Sequence, residues 1–280
     1  MKLWSFDRNN VLLPPMKNSF LLFIILICLS ACKSEFEMVR TSNDPSRIYN
    51  RALKYYANED WDKARSLLEL SIPNFRGKEE AEELYFKYAQ CYYNLGEYIL
   101  AAHYFNSFSN TFYNSDKKQE AEFMSAFSNY ELSPNSKLDQ TYTKKAIEEF
   151  QRYVNTYPRS ERVGECNSLI DEMRAKLELK AFDQGKLYYN IGQYQSAVKS
   201  FSNLLTEYPD TKRAEEVRFL MLKSSFELAR KSIYEKKRER YEETIKQHNK
   251  FTKKHPASKF ANEAAQIIQN TENELKKLKA

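Results

Sequence analysis

The stretch Ala181 to Thr211, AFDQGKLYYNIGQYQSAVKSFSNLLTEYPDT, constrains the fold more than any other part of the chain. Gly185, Tyr188, Gly192, Tyr194, Ala197, Phe201 and Pro209 stand in it at spacings that suit two antiparallel helices. Gly185 and Ala197, twelve residues apart, put one small residue near the middle of each helix. The backbones can then approach where a larger side chain would wedge them apart. Gly192 frees the turn between the helices, and Pro209 stops the second one.

This frame resembles a tetratricopeptide repeat, and it serves as a ruler for the rest of the chain. Ala52 pairs with Ala64, with Trp61 before and Leu68 after; Ala89 pairs with Ala101, with Gly96 in the turn, Tyr98 before and Phe105 after. A third unit has Ala126 on its first helix and Ala146, Phe150, Tyr153 and Pro158 on its second, separated by the longer loop Ser133-Pro134-Asn135-Ser136. The fourth is the ruler itself, and a fifth, degenerate unit holds Tyr241, Thr244, His248, Phe251 and Pro256. From Ala64 through Ala101, Ala146, Ala197 and Thr244 the intervals are 37, 45, 51 and 47 residues, all longer than the repeat's minimum of about 34. Part of the excess is helix: Val163, Ile170, Met173, Leu177, Ala181 and Tyr188 recur at helical intervals, predicting a linking helix of about seven turns from near Ser160. A last amphipathic segment, Ser258 to Leu278, would cap the open end of the array.

The expected fold is therefore all-α, five tetratricopeptide-like helix pairs stacked as a superhelical solenoid with a long linking helix and a C-terminal capping helix. Composition agrees, because five Gly and eight Pro against twenty Tyr and eighteen Phe suit long helices with aromatic packing. The net charge of +6 is spread as Lys and Arg interleaved with Asp and Glu, as in RERYEETIK. Mixed charge of this kind marks solvated helix faces, so no nucleic-acid partner is expected.

Near the start, Met16 and Lys17 precede the apolar run Phe20 to Leu29 and the small residues Ser30-Ala31. The run is too short to span a bilayer and reads as a secretory signal. Leu29-Ser30-Ala31-Cys32 resembles the bacterial lipobox, which implies cleavage before Cys32 and lipid on that residue. Residues 1–31 are accordingly assigned to the signal, with 1–15 a possible misannotated extension ahead of Met16. Residues 32–45 are expected to be the lipidated Cys and a flexible tether, 46–158 repeats one to three, and 159–280 the linking helix, repeats four and five and the cap. Asp44-Pro45 suits the cap and first turn of the first repeat. Cys91 reads as a small buried hydrophobe, with a disulfide to Cys166 the less favoured alternative.

A catalytic constellation is not discernible. His103, His248 and His255 fall on helices or their ends in no named motif, Glu79-Glu80 and Glu82-Glu83 suit an exposed helix face, and no Cys/His spacing suits a metal. The chain is expected to be no enzyme and to take no cofactor beyond covalent lipid on Cys32. Binding is the remaining chemistry. Positions three before, one after and four after the small residue of each first helix would face a concave groove: Tyr49, Leu53 and Tyr56; Phe86, Gln90 and Tyr93; Phe123, Phe127 and Tyr130. Such a row suits an extended segment with alternate apolar side chains. Packing between neighbouring helices explains the same residues equally well.

Three phrases carry a wider resemblance: Ala146 through Phe150, Tyr153 and Tyr157-Pro158 to Ser160; Leu177 through Tyr188-Tyr189; and Tyr208-Pro209-Asp210-Thr211. From Cys32 onward the chain resembles the tetratricopeptide lipoproteins of the outer-membrane β-barrel assembly machinery, the BamD family. The resemblance implies a lipid anchor in the outer membrane, facing the periplasm. It implies docking of repeats four and five on a BamA-type barrel subunit and capture of unfolded outer-membrane proteins by repeats one to three. A tetratricopeptide adaptor for cell-envelope or peptidoglycan enzymes is the alternative, and surface display stays open because Lys33 to Glu37 is partly acidic.

Overall fold

A computed structural model describes residues 34–278, and all regular structure among them is helical. The signal segment and Cys32 lie outside the described residues. After a short helix α1 (Glu35–Arg40), the chain forms pairs α2 (Pro45–Ala57) with α3 (Trp61–Phe75) and α4 (Ala81–Asn94) with α5 (Tyr98–Thr111). Then come α6 (Lys118–Glu131) with α7 (Thr141–Thr156), α8 (Val163–Asn190) with α9 (Tyr194–Glu207), α10 (Ala214–Arg230) with α11 (Tyr234–Lys254), and the terminal α12 (Ala261–Lys277).

The small residues sit where the ruler puts them. Ala52, Ala64, Ala89, Ala101, Ala126, Ala146 and Ala197 are all fully buried. Three kinds of contact recur around these crossings, each in three or more of the pairs. The residue three before the crossing meets an aromatic ring on the second helix, as in Phe86 with Phe105, Phe123 with Phe150 and Phe182 with Phe201, centroids 5.7, 5.8 and 6.2 Å apart. The residue four after it packs across the turn on the first residue of the second helix: Tyr56 on Trp61, Tyr93 on Tyr98, Tyr189 on Tyr194.

The third contact is a polar clasp. Ser115, Thr211 and Ser258 follow a second helix and donate their hydroxyls to Glu82, Glu178 and Glu215 at 2.6, 2.5 and 2.6 Å. Each hydroxyl also accepts a backbone N–H two residues on, at 3.0, 3.1 and 3.0 Å. In the third pair the direction is reversed: Ser160 Oγ accepts from Gln119 Nε2 and meets the Tyr153 hydroxyl at 2.9 Å each, and accepts the Arg162 N–H at 3.3 Å. The clasps tie the end of each of these pairs to its own first helix, seven residues before the crossing, and satisfy donors at the next helix start.

The turns share one geometry. Gly96 and Gly192 have φ of 75° and 76°, and Glu59, with φ 58°, stands at the equivalent place in the first pair. In all three, the next residue's N–H donates to the carbonyl five residues back, on Tyr92, Tyr188 and Tyr55. This is the left-handed helix end that glycine normally supplies.

The described residues pack as two compact units dividing between Lys118 and Gln119. The sequence suggested a division at 158/159 instead. That point is not a break, because Phe123 on α6, Phe150 and Tyr153 on α7, and Cys166, Ile170 and Met173 on α8 form one core. The linking helix spans 28 residues. Its N-terminal half closes the third pair, and its C-terminal half is the first helix of the fourth, in a second core with Phe182, Ala197, Phe201 and Leu204. The capping helix packs on α10 and α11 through Phe219, Phe251, Phe260 and Ala264.

The tether is shorter than expected, since residues 35–40 are helical. Ser34 caps Glu37 N–H at 3.3 Å, Val39 is buried, and Phe36 lies edge-on to Tyr55 at 5.9 Å. Phe36 and Val39 are one turn apart, a spacing too short to register as periodicity yet sufficient to seat one turn. Cys91 and Cys166 are free thiols, each fully buried in its own unit.

Candidate peptide-binding face

The proposed groove residues divide into two kinds. Tyr49, Phe86 and Phe123 belong to the core, with 7%, 7% and 2% of their surface exposed. Their place three before the crossing aims them at their own second helix: Tyr49 packs on Phe75 at 4.7 Å, and Phe86 also meets Phe108 at 5.2 Å. The groove assignment is corrected for these three. Leu53, Tyr56, Gln90, Tyr93, Phe127 and Tyr130, one and four after the crossing, remain half-buried and line a face.

In the first unit this face is knit together. The Tyr56 hydroxyl donates to Gln90 Oε1 at 2.6 Å, linking α2 to α4, and Lys87 Nζ lies 4.0 Å from the Tyr56 ring centroid. Burial, reinforced by the charge of Glu83 and the Cys91 thiol, pushes the Tyr56 phenol up to about 12, so it stays a donor at any physiological pH. The result is an apolar ring held in register beside a cation and an amide, a surface that can receive both a side chain and a backbone.

In the second unit Phe123, Phe127 and Tyr130 stack along α6, with centroid steps of 5.6 Å and interplanar angles of 15° and 28°. No short turn follows Tyr130, so its hydroxyl reaches α8 instead and donates to Glu172 at 3.0 Å. Burial and the Glu172 carboxylate raise its pKa. Arg162 lies 4.0 Å from the Phe123 ring and forms a two-pronged pair with Glu120 at 2.9 and 3.0 Å.

Sequence reasoning missed the depressions beside α8. One of about 800 Å³ is lined by Glu172, Lys176, Leu179 and Arg213, and another of about 570 Å³ by Ala181, Gln184, Tyr188, Lys199 and Asn203. They arise because α8 serves two pairs at once, which leaves its middle without a preceding second helix to cover it. Lys176 and Lys180 pin the loop after α6 there, donating to Ser133 Oγ at 2.8 Å and to the Leu138 carbonyl at 2.8 Å. The missing signal was positional: lysines one turn apart on the linking helix, opposite a loop whose Ser136 and Leu138 carbonyls accept from Lys180.

Among the described residues no group of acidic, His or Cys side chains could hold a metal ion, and no helix is long and apolar enough to cross a membrane. His103 is exposed on α5, while His248 and His255 lie on α11 and at its end.

A family model described as YfiO, outer membrane lipoprotein, matches residues 41–240 and again 188–278. No curated protein matches the sequence. Among solved structures, the TPR domain of P58(IPK) is 13% identical, with a TM-score of 0.40 over 89% of this chain and 72% of that one. A TPR repeats protein from Bacteroides fragilis is 11% identical, with a TM-score of 0.40 over 83% and 99% of the two chains. A thermophilic TPR protein from Thermus thermophilus is 13% identical, with a TM-score of 0.32 over 81% and 100%.

Proposed function

Because the chain belongs to the YfiO family of outer membrane lipoproteins, we propose that it is a non-enzymatic, lipid-anchored scaffold of outer-membrane β-barrel assembly. On this reading the acyl chains on Cys32 hold it at the periplasmic leaflet. Each buried methylene contributes about 0.8 kcal/mol, so two or more chains make residence durable. Repeats four and five dock on a BamA-type barrel subunit, and the first-helix faces hold segments of unfolded barrel proteins before handover.

The observation that carries the binding part is the contrast within each first helix. Tyr49, Phe86 and Phe123 are sealed, whereas Tyr56, Gln90, Tyr93, Phe127 and Tyr130 keep half-exposed aromatic and amide surface. A strand-forming segment presents alternate side chains and a free backbone edge, and such a face meets both needs.

Affinity isolation of the full lipoprotein from detergent-solubilised membranes tests the proposal. Recovery of a large outer-membrane barrel subunit with periplasmic domains is the expected result. Recovery of cell-wall synthases in its place would move the protein to the adaptor class.

A further inference from the structure

We propose that the outer surface of α9, α10 and α11 carries a binding groove for an acidic, partly apolar extended segment of a partner protein. The groove has a volume of about 570 Å³ and draws on three helices of the second unit. Lys199 from α9, Arg218 from α10 and Lys250 from α11 converge on it, and none of the residues lining it is acidic.

On the same helices other cations are matched, as Arg230 is by Glu227 at 2.7 Å and Arg238 by Glu242 at 3.3 Å. Among the described residues Lys199, Arg218 and Lys250 have no carboxylate within ion-pair distance, and the neighbouring Glu243 is occupied by Gln247 at 2.8 Å and Lys246 at 3.6 Å. Three unmatched cations from separate helices repel one another, so a ligand that supplies carboxylates relieves a cost already present.

The groove floor selects further. Val198 and Leu205 are half-buried and Met221 is 8% exposed, all three continuous with the core of the fourth pair. Gln195 and Gln247 line the groove with side-chain amides that can meet a peptide backbone. Carboxylates, small apolar side chains and a backbone together describe a segment in which acidic and aliphatic residues alternate. Met221 suits such a site because its unbranched thioether adapts to varied side chains.

The test uses the full lipoprotein in detergent and a fluorescein-labelled decapeptide of alternating Glu and Leu, with fluorescence anisotropy as readout. It needs no barrel partner, so its failure is separate from failure of the assembly reading. The wild type should bind this peptide and discriminate against an alternating Lys and Leu peptide and against one of alternating Glu and Ser. K199E/R218E/K250E should weaken binding by about tenfold or more and flatten its salt dependence. K144E/K236E/K276E, with the same change in net charge away from the groove, should leave affinity within about twofold. K199Q/R218Q/K250Q provides the same comparison if the glutamate variant loses its helical circular dichroism. Equal loss in the control variant, unchanged affinity in both groove variants, or equal binding of the Glu and Ser peptide would overturn the proposal.

Discussion

Glu59 and Gly185 are the residues whose backbone environment makes the sharpest demands. Glu59 occupies a left-handed turn position at φ 58° that Gly96 and Gly192 fill in the later pairs. A side chain there costs about 1–2 kcal/mol, so Glu59→Gly should stabilise the first unit by up to about 1 kcal/mol after the added unfolded-state entropy is subtracted. Urea denaturation checks this. Gly185 presents the opposite case, because it is helical and Ala would ordinarily be the better helix former by about 1 kcal/mol. A Cβ at Gly185, however, would lie inside contact distance of three ring atoms of Phe201, one of them at 2.6 Å. Overpacking dominates, and Gly185→Ala should destabilise by about 1–3 kcal/mol, with Phe201→Leu in the same chain recovering part of the loss. Gly185 was legible in the sequence as a close-crossing residue, since its spacing to Ala197 needed no coordinates. Glu59 was not, because its side chain hides a conformation that Gly advertises.

Phenols add a residue-scale prediction about pH. Burial pushes Tyr56 and Tyr157 up to about 12, and the Glu122 carboxylate adds to the effect at Tyr157. The folded state holds these protons more tightly than the unfolded chain, whose tyrosines titrate near 10. Their contribution is therefore complete below about pH 10 and is lost as pH rises through about 12. Phenolate absorbance followed with circular dichroism should show exposed tyrosines ionising first and a second phase coinciding with loss of helix.

At the scale of elements, the repeat is fastened by more than its crossing. The hydroxyl clasps place Glu82, Gln119 and Glu178 seven residues before Ala89, Ala126 and Gly185, respectively, and a Ser or Thr shortly after the second helix. Thr211 is 7% exposed, so Thr211→Val keeps its shape while removing both the Glu178 acceptor bond and the cap on Arg213 N–H. A loss of about 1–3 kcal/mol is expected by thermal or chemical denaturation, with Thr211→Ser recovering most of it. The clasp could have been read from the chain as a polar residue at that fixed offset, but only with the contact known does the offset acquire meaning. Helix lengths and stops were legible, because Tyr157-Pro158, Tyr208-Pro209 and His255-Pro256 end α7, α9 and α11 where the ring of proline forbids continuation. Helix α1 escaped notice because one turn carries no period, and the sharing of α8 between two cores escaped because a continuous apolar stripe looks the same whichever neighbour covers it.

At the scale of the molecule, the account joins a lipid anchor to two units, each presenting its own half-exposed row. The all-α repeat architecture followed from spacing, whereas the family followed from the resemblance of particular phrases around Pro158, Tyr188 and Pro209 and from the family match. The candidate face was half legible: the positions one and four after each crossing line it, but those three before are core, a distinction that depends on where along the first helix the second helix leans. Binding of a fluorescent peptide bearing the C-terminal strand of an outer-membrane barrel protein tests the central claim most directly, comparing wild type with Tyr56→Ala/Tyr93→Ala in detergent. The account predicts affinity reduced by about tenfold, consistent with about 1.4 kcal/mol of lost aromatic contact. Helical content should be unchanged and Tyr56→Phe/Tyr93→Phe should retain most of the binding. Unchanged affinity in the alanine variant would contradict it.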